Sequence, residues 1–303
     1  MKTLRSVGRE INKHKSLYAM MLPIIAFYVI FHYMPMYGAQ IAFRDYRVRD
    51  GFFGSPWVGF ENFRTFFNSI YFGRLIGNTI KLSAFSLIWG FPLPIVLALL
   101  LNEIRVNSFK RVVQTFTYLP HFISLVVVCG MVKDFVSVSG IVNDIAEMLG
   151  GTRVNFLLDP KYFRTVYISS GVWQEIGWGS IIYLAAISGV DQELYEAAKI
   201  DGAGRFRRVF SVTLPGILPT IIILLILRVG HIMNVGFEKV FLLYNNAIFE
   251  SADVISTYVY RRGLIDQDYS FSAAVGLFNS TINFFLLVCT NRLSAKMTET
   301  SLW

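Results

Sequence analysis

The chain has 303 residues, of which 54% are hydrophobic, 16% aromatic and only 16% charged, and its mean hydropathy is +0.51. Soluble domains carry roughly 25% charged residues, so this composition excludes an ordinary soluble globule. The net charge of +8 does not point to nucleic acid, because the basic residues fall in short stretches between apolar runs, where they set orientation in a bilayer.

Residues 1–16 carry Lys2, Arg5, Arg9, Lys13 and Lys15 against Glu10. They read as a basic cytoplasmic lead-in. Six apolar runs follow, at about 17–41, 76–101, 112–136, 165–190, 215–237 and 271–292. Each approaches or exceeds the roughly 20 residues that a bilayer crossing requires. The first is too long for a signal peptide and has no small-residue cleavage site. Residues 42–73 are rich in aromatics and mixed in charge, as in an external loop with an interfacial helix. Pro92 and Pro94 should kink or interrupt the second span, and Pro120 lies inside the third. Residues 102–111 read as a short polar loop. In 137–164, Ser139 is placed to cap a small helix with Ile141, Val142, Ile145, Met148 and Leu149 on one face, ended by Gly150-Gly151. Residues 238–269 read as a second long external loop. Cys129 and Cys289 both fall in apolar runs and read as small buried hydrophobes.

Six spans place both termini on one side. The basic lead-in and the basic loop after the fourth span assign that side to the cytoplasm. The chain is therefore expected to be an all-α integral membrane protein. It is read as a single transmembrane domain over 1–303, with its core at 76–292.

The most informative polar stretch is 191–215, between two apolar runs. Asp191 is placed to accept from free backbone N–H groups at a helix start. Leu194, Ala197, Ala198 and Ile200 give that helix a face of mostly small residues, which lets another surface approach closely. Gly202 is a permissive position where the helix can end and the chain turn. Arg205, Arg207 and Arg208 follow, and Pro215 suits the first turn of the next helix.

Glu196-Ala197-Ala198, then Gly202, Val212, Leu214 and Pro215 at their spacings, resemble the EAA loop of ABC-importer permeases. Only Val212 departs, where Ile is usual. Tyr33-Met34-Pro35-Met36-Tyr37-Gly38, Ala42-Phe43-Arg44-Asp45-Tyr46 and Trp57-Val58-Gly59-Phe60-Glu61-Asn62-Phe63 resemble the carbohydrate-uptake, MalF-like branch. Within it they are similar to the LplB-type oligosaccharide permeases of Gram-positive bacteria. The resemblance implies a type I importer fold with a cytoplasmic coupling helix, in a multi-pass plasma-membrane protein. It implies a second permease subunit as heterodimer partner, two cytoplasmic ATPase domains and an external substrate-binding lipoprotein. It also implies that Glu196, Ala197, Ala198, Asp201, Gly202, Leu214 and Pro215 couple to the ATPase. ATP and Mg would then be bound by that partner, with no cofactor in this chain. No Walker A, HExxH or GxSxG pattern occurs, so no catalytic constellation presents itself.

Polar groups inside spans are costly in lipid and mark protein or water. Trp173, Gln174, Glu175 and Trp178 cluster in the fourth span. Arg228, His231 and Asn234 share an arc of the fifth. Ser272, Gly276, Asn279, Asn283 and Thr290 form a stripe on the sixth. These residues either line an oligosaccharide pathway or hold a helix interface with the partner permease by hydrogen bonds. Arg228 and Glu175 are expected to pair mutually or across subunits. His231 is either a satisfied core histidine or a pathway group. Two rival readings stand beside an oligosaccharide permease. One is an ABC permease for another solute, such as an amino acid, peptide or anion. The other is a channel or membrane enzyme, which would leave the 191–215 pattern unexplained.

Overall fold

The computed structural model describes residues 13–298 and 300–302, without the side chain of 297. Most of the basic lead-in, including Lys2, Arg5, Arg9 and Glu10, lies outside the described residues. Among those described, the fold is all helical, and the only extended pairing is an isolated bridge between Arg44 and Trp57. The chain divides into two compact units, Met1–Phe67 with Arg262–Leu277, and Asn68–Arg261 with Phe278–Trp303.

The first unit begins with a helical rod, α1, Lys15–Phe43. It has a π turn at Val29–Tyr33, two residues before Pro35. Proline cannot donate to the preceding turn, and the wider turn absorbs that loss. No residue from Lys15 to Met36 is buried, so this apolar surface is left for lipid or another chain. Beyond it, Arg44 donates to the Ser55 carbonyl at 2.8 Å and covers the Trp57 ring, while Phe43 stacks on Trp57. Asn62, on α2 (Glu61–Phe67), donates to the carbonyls of Ala42 and Arg44. The backbone N–H of Tyr46 donates to Ser270 Oγ at 2.7 Å. The expected 42–73 loop is thus an ordered aromatic cap.

In the second unit, α3, Phe72–Gly90, and α4, Pro92–Glu103, meet at Phe91. The break falls where Pro92 and Pro94 predict it. The third expected span is not one helix. α5, Asn107–Tyr118, and α6, Leu125–Phe135, are bent by 104° across the Leu119–Phe122 turn. Pro120 and the Ser124 N-cap explain this, since Ser124 Oγ accepts from Val127 N and starts a new helix. Because α5 starts at Asn107, the polar loop expected at 102–111 shrinks to a three-residue connection.

α7, Ile141–Met148, is present, but Gly140 rather than Ser139 stands at its N-cap and no side chain caps it. A Cβ at Gly140 would collide with the carbonyls of Asp134 and Phe135, so the close turn demands glycine. Asn143 holds the helix from beneath, donating to Ser137 and Val154 carbonyls and accepting from Val154 N. The expected apolar face, including Met148 and Leu149, is exposed.

α8, Pro160–Ser188, is capped by Asp159, which accepts from Lys161 N at 2.9 Å. α9 is Gln192–Ile200. α10, Arg205–Gly230, begins ten residues before Pro215 and passes through a π turn at Val209–Thr213, again two residues before the proline. It ends at Gly230, short of the expected 237. α11, Phe237–Leu243, α12, Ile255–Tyr260, and α13, Tyr269–Thr298, complete the chain. The 238–269 segment is thus largely helical.

Among the described residues, four helices are long and apolar enough to cross a membrane, or five with the bent α5–α6 pair. α8 is 29 residues long but falls outside this set, because Ser169, Ser170, Gln174, Glu175 and several glycines dilute its apolar content. Glycine also sets its packing. A Cβ at Gly177 would strike the Thr117 carbonyl of α5, and one at Gly179 would lie 3.2 Å from Pro94 of α4. Cys129 is buried at 2% exposure, whereas Cys289 is exposed, contrary to expectation.

Candidate functional sites in the 191–215 loop and a polar cavity

α9 is fixed at both ends. Asp191 Oδ1 accepts from Glu193 N at 2.9 Å, satisfying one free donor of the first turn. At the other end Gly202 has φ +75°. Ala203 N donates to the Ala198 carbonyl at 2.8 Å and Gly202 N to the Lys199 carbonyl at 3.0 Å. That pair of bonds is a Schellman motif, which needs a left-handed residue where Gly202 stands. Between the ends, Tyr195 OH and Thr213 Oγ1 are 2.9 Å apart, tying α9 to α10. Beneath lies a cluster of Ala98, Tyr183, Ile187, Val190 and Ile217, against which Tyr195, Val212 and Leu214 pack.

Glu196, Ala197, Asp201, Gly202 and Pro215 are exposed, while Ala198 and Leu214 are half-buried. Leu194 and Ile200 are also exposed, Ile200 at 87%. The loop therefore presents a short helix, capped at both ends, on which Leu194, Ala197 and Ile200 are exposed among Gln192, Glu193, Glu196 and Lys199. Phe206 and Phe210, in the next helix, are exposed as well, though their place beside three arginines hides them in the sequence.

The second site is a cavity of ≈ 600 Å³ in the second unit, lined by α3, α4, α8, the end of α10 and α11. That volume suits a small ligand or one segment of a longer one. Gln174, Glu175, Arg228, His231 and Asn234 line it; Trp173, Trp178, Asn279 and Asn283 do not. Glu175 pairs with His121 Nδ1 at 3.1 Å rather than with Arg228. Pro120 turns the chain at this point, and His121 lies flat on the Trp178 ring, 4.4 Å between centres. The asparagine stripe has internal partners. Asn279 and Asn283 both donate to Asn234 Oδ1, at 2.9 and 3.1 Å. Asn283 Oδ1 accepts from Met233 N at 3.0 Å. These bonds hold the turn that follows α10 against α13 and fix Asn234 in the cavity wall.

Lys239 and His121 escape the sequence reading. Lys239 sits in a stretch read as external loop, yet it is 7% exposed and reaches the cavity. A helix over Phe237–Leu243 places it beside the fully buried Val240 and Leu243. Seven residues are too few for that spacing to stand out in the sequence. Burial lowers the Lys239 pKa to about 8, partly opposed by the nearby Cys129 and Glu175.

Residues 90–299 match the family described as binding-protein-dependent transport system inner membrane component. The protein LplB of Bacillus subtilis (strain 168) is 44% identical over 294 residues, covering 97% of this chain and 92% of that protein. The polygalacturonan/rhamnogalacturonan transport system permease protein YteP of the same organism is 44% identical over 295 residues, with 97% and 92% covered. A chain in the crystal structure of a bacterial ABC transporter involved in import of the acidic polysaccharide alginate superimposes with a TM-score of 0.90. Its identity is 46%, with 97% of this chain and 99% of that chain covered. The extent of these matches leads to one conclusion. The chain belongs to the binding-protein-dependent transport system inner membrane component family and is a multi-pass permease subunit of an ABC importer.

Proposed function

We propose that this permease imports complex oligosaccharides, coupling uptake to ATP hydrolysis in separate cytoplasmic subunits. The chain would act as one transmembrane domain over 1–303, with core 76–292. It would cross the cell membrane of a Gram-positive bacterium six times and keep both termini in the cytoplasm. α8 supplies a crossing despite its polar content, because its buried face meets other helices rather than lipid. The observation that carries the reading is α9, locked at Asp191 and Gly202 with Leu194, Ala197 and Ile200 left outside. Such a helix transmits displacement to α10 through Tyr195 and Thr213.

In this reading Glu196, Ala197, Ala198, Asp201 and Gly202 meet an ATPase that binds ATP and Mg, and Leu214 and Pro215 carry the movement into α10. A second permease completes the pathway, which includes Gln174, Glu175, Arg228, His231 and Asn234. An external lipoprotein delivers cargo. One solved relative is in complex with an alginate pentasaccharide-bound periplasmic protein, which supports that partner. The test is uptake by vesicles holding this chain with its partner permease, ATPase and binding protein. ATP-dependent accumulation of oligosaccharide, abolished by an inactive ATPase, is expected. Accumulation of amino acids, peptides or inorganic anions alone would overturn the cargo, and ATP-independent flux would overturn the coupling.

A further inference from the structure

The cavity holds a buried cation, Lys239. Lys239 is 7% exposed. Its Nζ donates to the Tyr167 carbonyl at 2.9 Å and lies 4.9 Å from the centre of the Tyr167 ring. An ammonium has three donors, and among the described residues no carboxylate lies within ion-pair distance of this one. Gly171 keeps the approach open, since a Cβ there would lie 3.0 Å from Nζ. Arg228 and His231 share the cavity wall, and its single carboxylate, Glu175, is engaged by His121.

Packing does not explain the charge. Val240 and Leu243 already anchor α11 at 0% and 1% exposure. A methionine would fill the same space without the cost of desolvating an ion. Two cations, Lys239 and Arg228, against one carboxylate already engaged by His121 make this polar cavity suited to an anion.

Resting on the oligosaccharide reading, we infer that Lys239 receives a carboxylate of an acidic oligosaccharide in the translocation cavity, and so selects uronate-bearing cargo. Tyr167 positions the ammonium and Gly171 leaves room for the incoming sugar.

The experiment compares the complete importer carrying wild-type chain, Lys239→Gln and Lys239→Arg in vesicles. The probes are an oligogalacturonate, an oligoalginate, their carboxyl-reduced neutral counterparts and a neutral xylo-oligosaccharide. Losing one charge-assisted bond should reduce transport of the acidic cargo roughly ten- to hundredfold in Lys239→Gln, mostly as raised KM. Carboxyl-reduced cargo should change by less than about twofold on the same grounds. Lys239→Arg should recover most of the acidic transport. If Lys239→Gln does not assemble, Lys239→Met replaces it and the same outcomes apply. In the wild type, acidic transport should also decline as pH rises through about 8, where the ammonium loses its charge. Arg228, His231, Glu175 and Cys129 surround the same group and are unaltered in Lys239→Arg, so a decline that persists in that variant belongs to them and counts against Lys239. Wild-type import of neutral oligosaccharides alone would overturn this inference and leave the function standing. Import of no oligosaccharide would overturn both. Equal activity in all three proteins, or equal losses for acidic and neutral cargo, would make Lys239 only a structural pin.

Discussion

Gly202 is where the coupling reading is most exposed to test. Its φ of +75° lies in the left-handed region, and a Cβ added there meets nothing within 4 Å. A substitution therefore acts through the backbone and not through a clash inside the chain. For an ordinary L-residue the left-handed conformation costs roughly 1–2 kcal/mol, and a β-branched residue pays the upper end or more. That energy is set against the two bonds of the Schellman turn, from Gly202 and Ala203 to Lys199 and Ala198. A cost of this size shifts a local equilibrium about 5- to 30-fold, enough to unwind the end of a nine-residue helix without unfolding the protein. We predict that Gly202→Val inserts and co-purifies with its partners but loses most stimulation of ATP hydrolysis by loaded binding protein. Gly202→Ala should fall between, and Gly202→Asn should be mildest because asparagine tolerates this region. The assay is stimulated ATPase activity and uptake in reconstituted vesicles. Wild-type stimulation in Gly202→Val, or a ranking that follows side-chain volume and ignores backbone preference, would refute the reasoning.

Three further outcomes are expected. Asp253 is fully buried and held by Arg74 at 3.0 Å, by Arg261 at 2.7 Å and by Thr257. Removing its charge leaves two cations facing each other, so Asp253→Asn should destabilise by about 3–5 kcal/mol, read as a lowered thermal unfolding midpoint in detergent; an unchanged midpoint would show the network to be idle. Gly177→Ala should separate α8 from α5, because the added methyl would meet the Thr117 carbonyl, and full yield with full transport would contradict that packing. For topology, a cysteine at Met148, which is 85% exposed, should react with an impermeant thiol reagent on intact cells. One at Ile200, 87% exposed, should react only after permeabilisation, and the reverse pattern would invert the protein in the membrane.

Local signals read well from the sequence where they act through the backbone. The Asp191 cap, the Gly202 turn and the break before Pro92 depend on neighbours within a few residues, and each appears where its chemistry places it. The reading fails where a distant contact decides. Ser139 is a good capping residue by type, but the tight approach of 140 to the Asp134 and Phe135 carbonyls gives the position to glycine. The third apolar run looks continuous by hydropathy, whereas Pro120 and Ser124 divide it. Arg228 and Glu175 look like partners from their charges, but the bend at Pro120 brings His121 to Glu175 first. Lys239 reads as a loop residue because seven residues of helix are too short for a periodic pattern to stand out. Arg74 lies 179 residues from Asp253 in sequence, and only the fold unites it with Asp253 and Arg261.

The central claim is that the exposed surface of α9 docks on an ATPase. It is tested most directly by a photoreactive amino acid placed at Ile200 in the intact importer within cells, with the adduct identified by mass spectrometry. Ile200 is 87% exposed and lies at the end of the helix fixed by the Gly202 turn. The expected result is an adduct with a nucleotide-binding ATPase subunit, absent when the same group is placed at Met148. Efficient cross-linking at Ile200 to lipid or to an external protein, with no ATPase adduct, would contradict it.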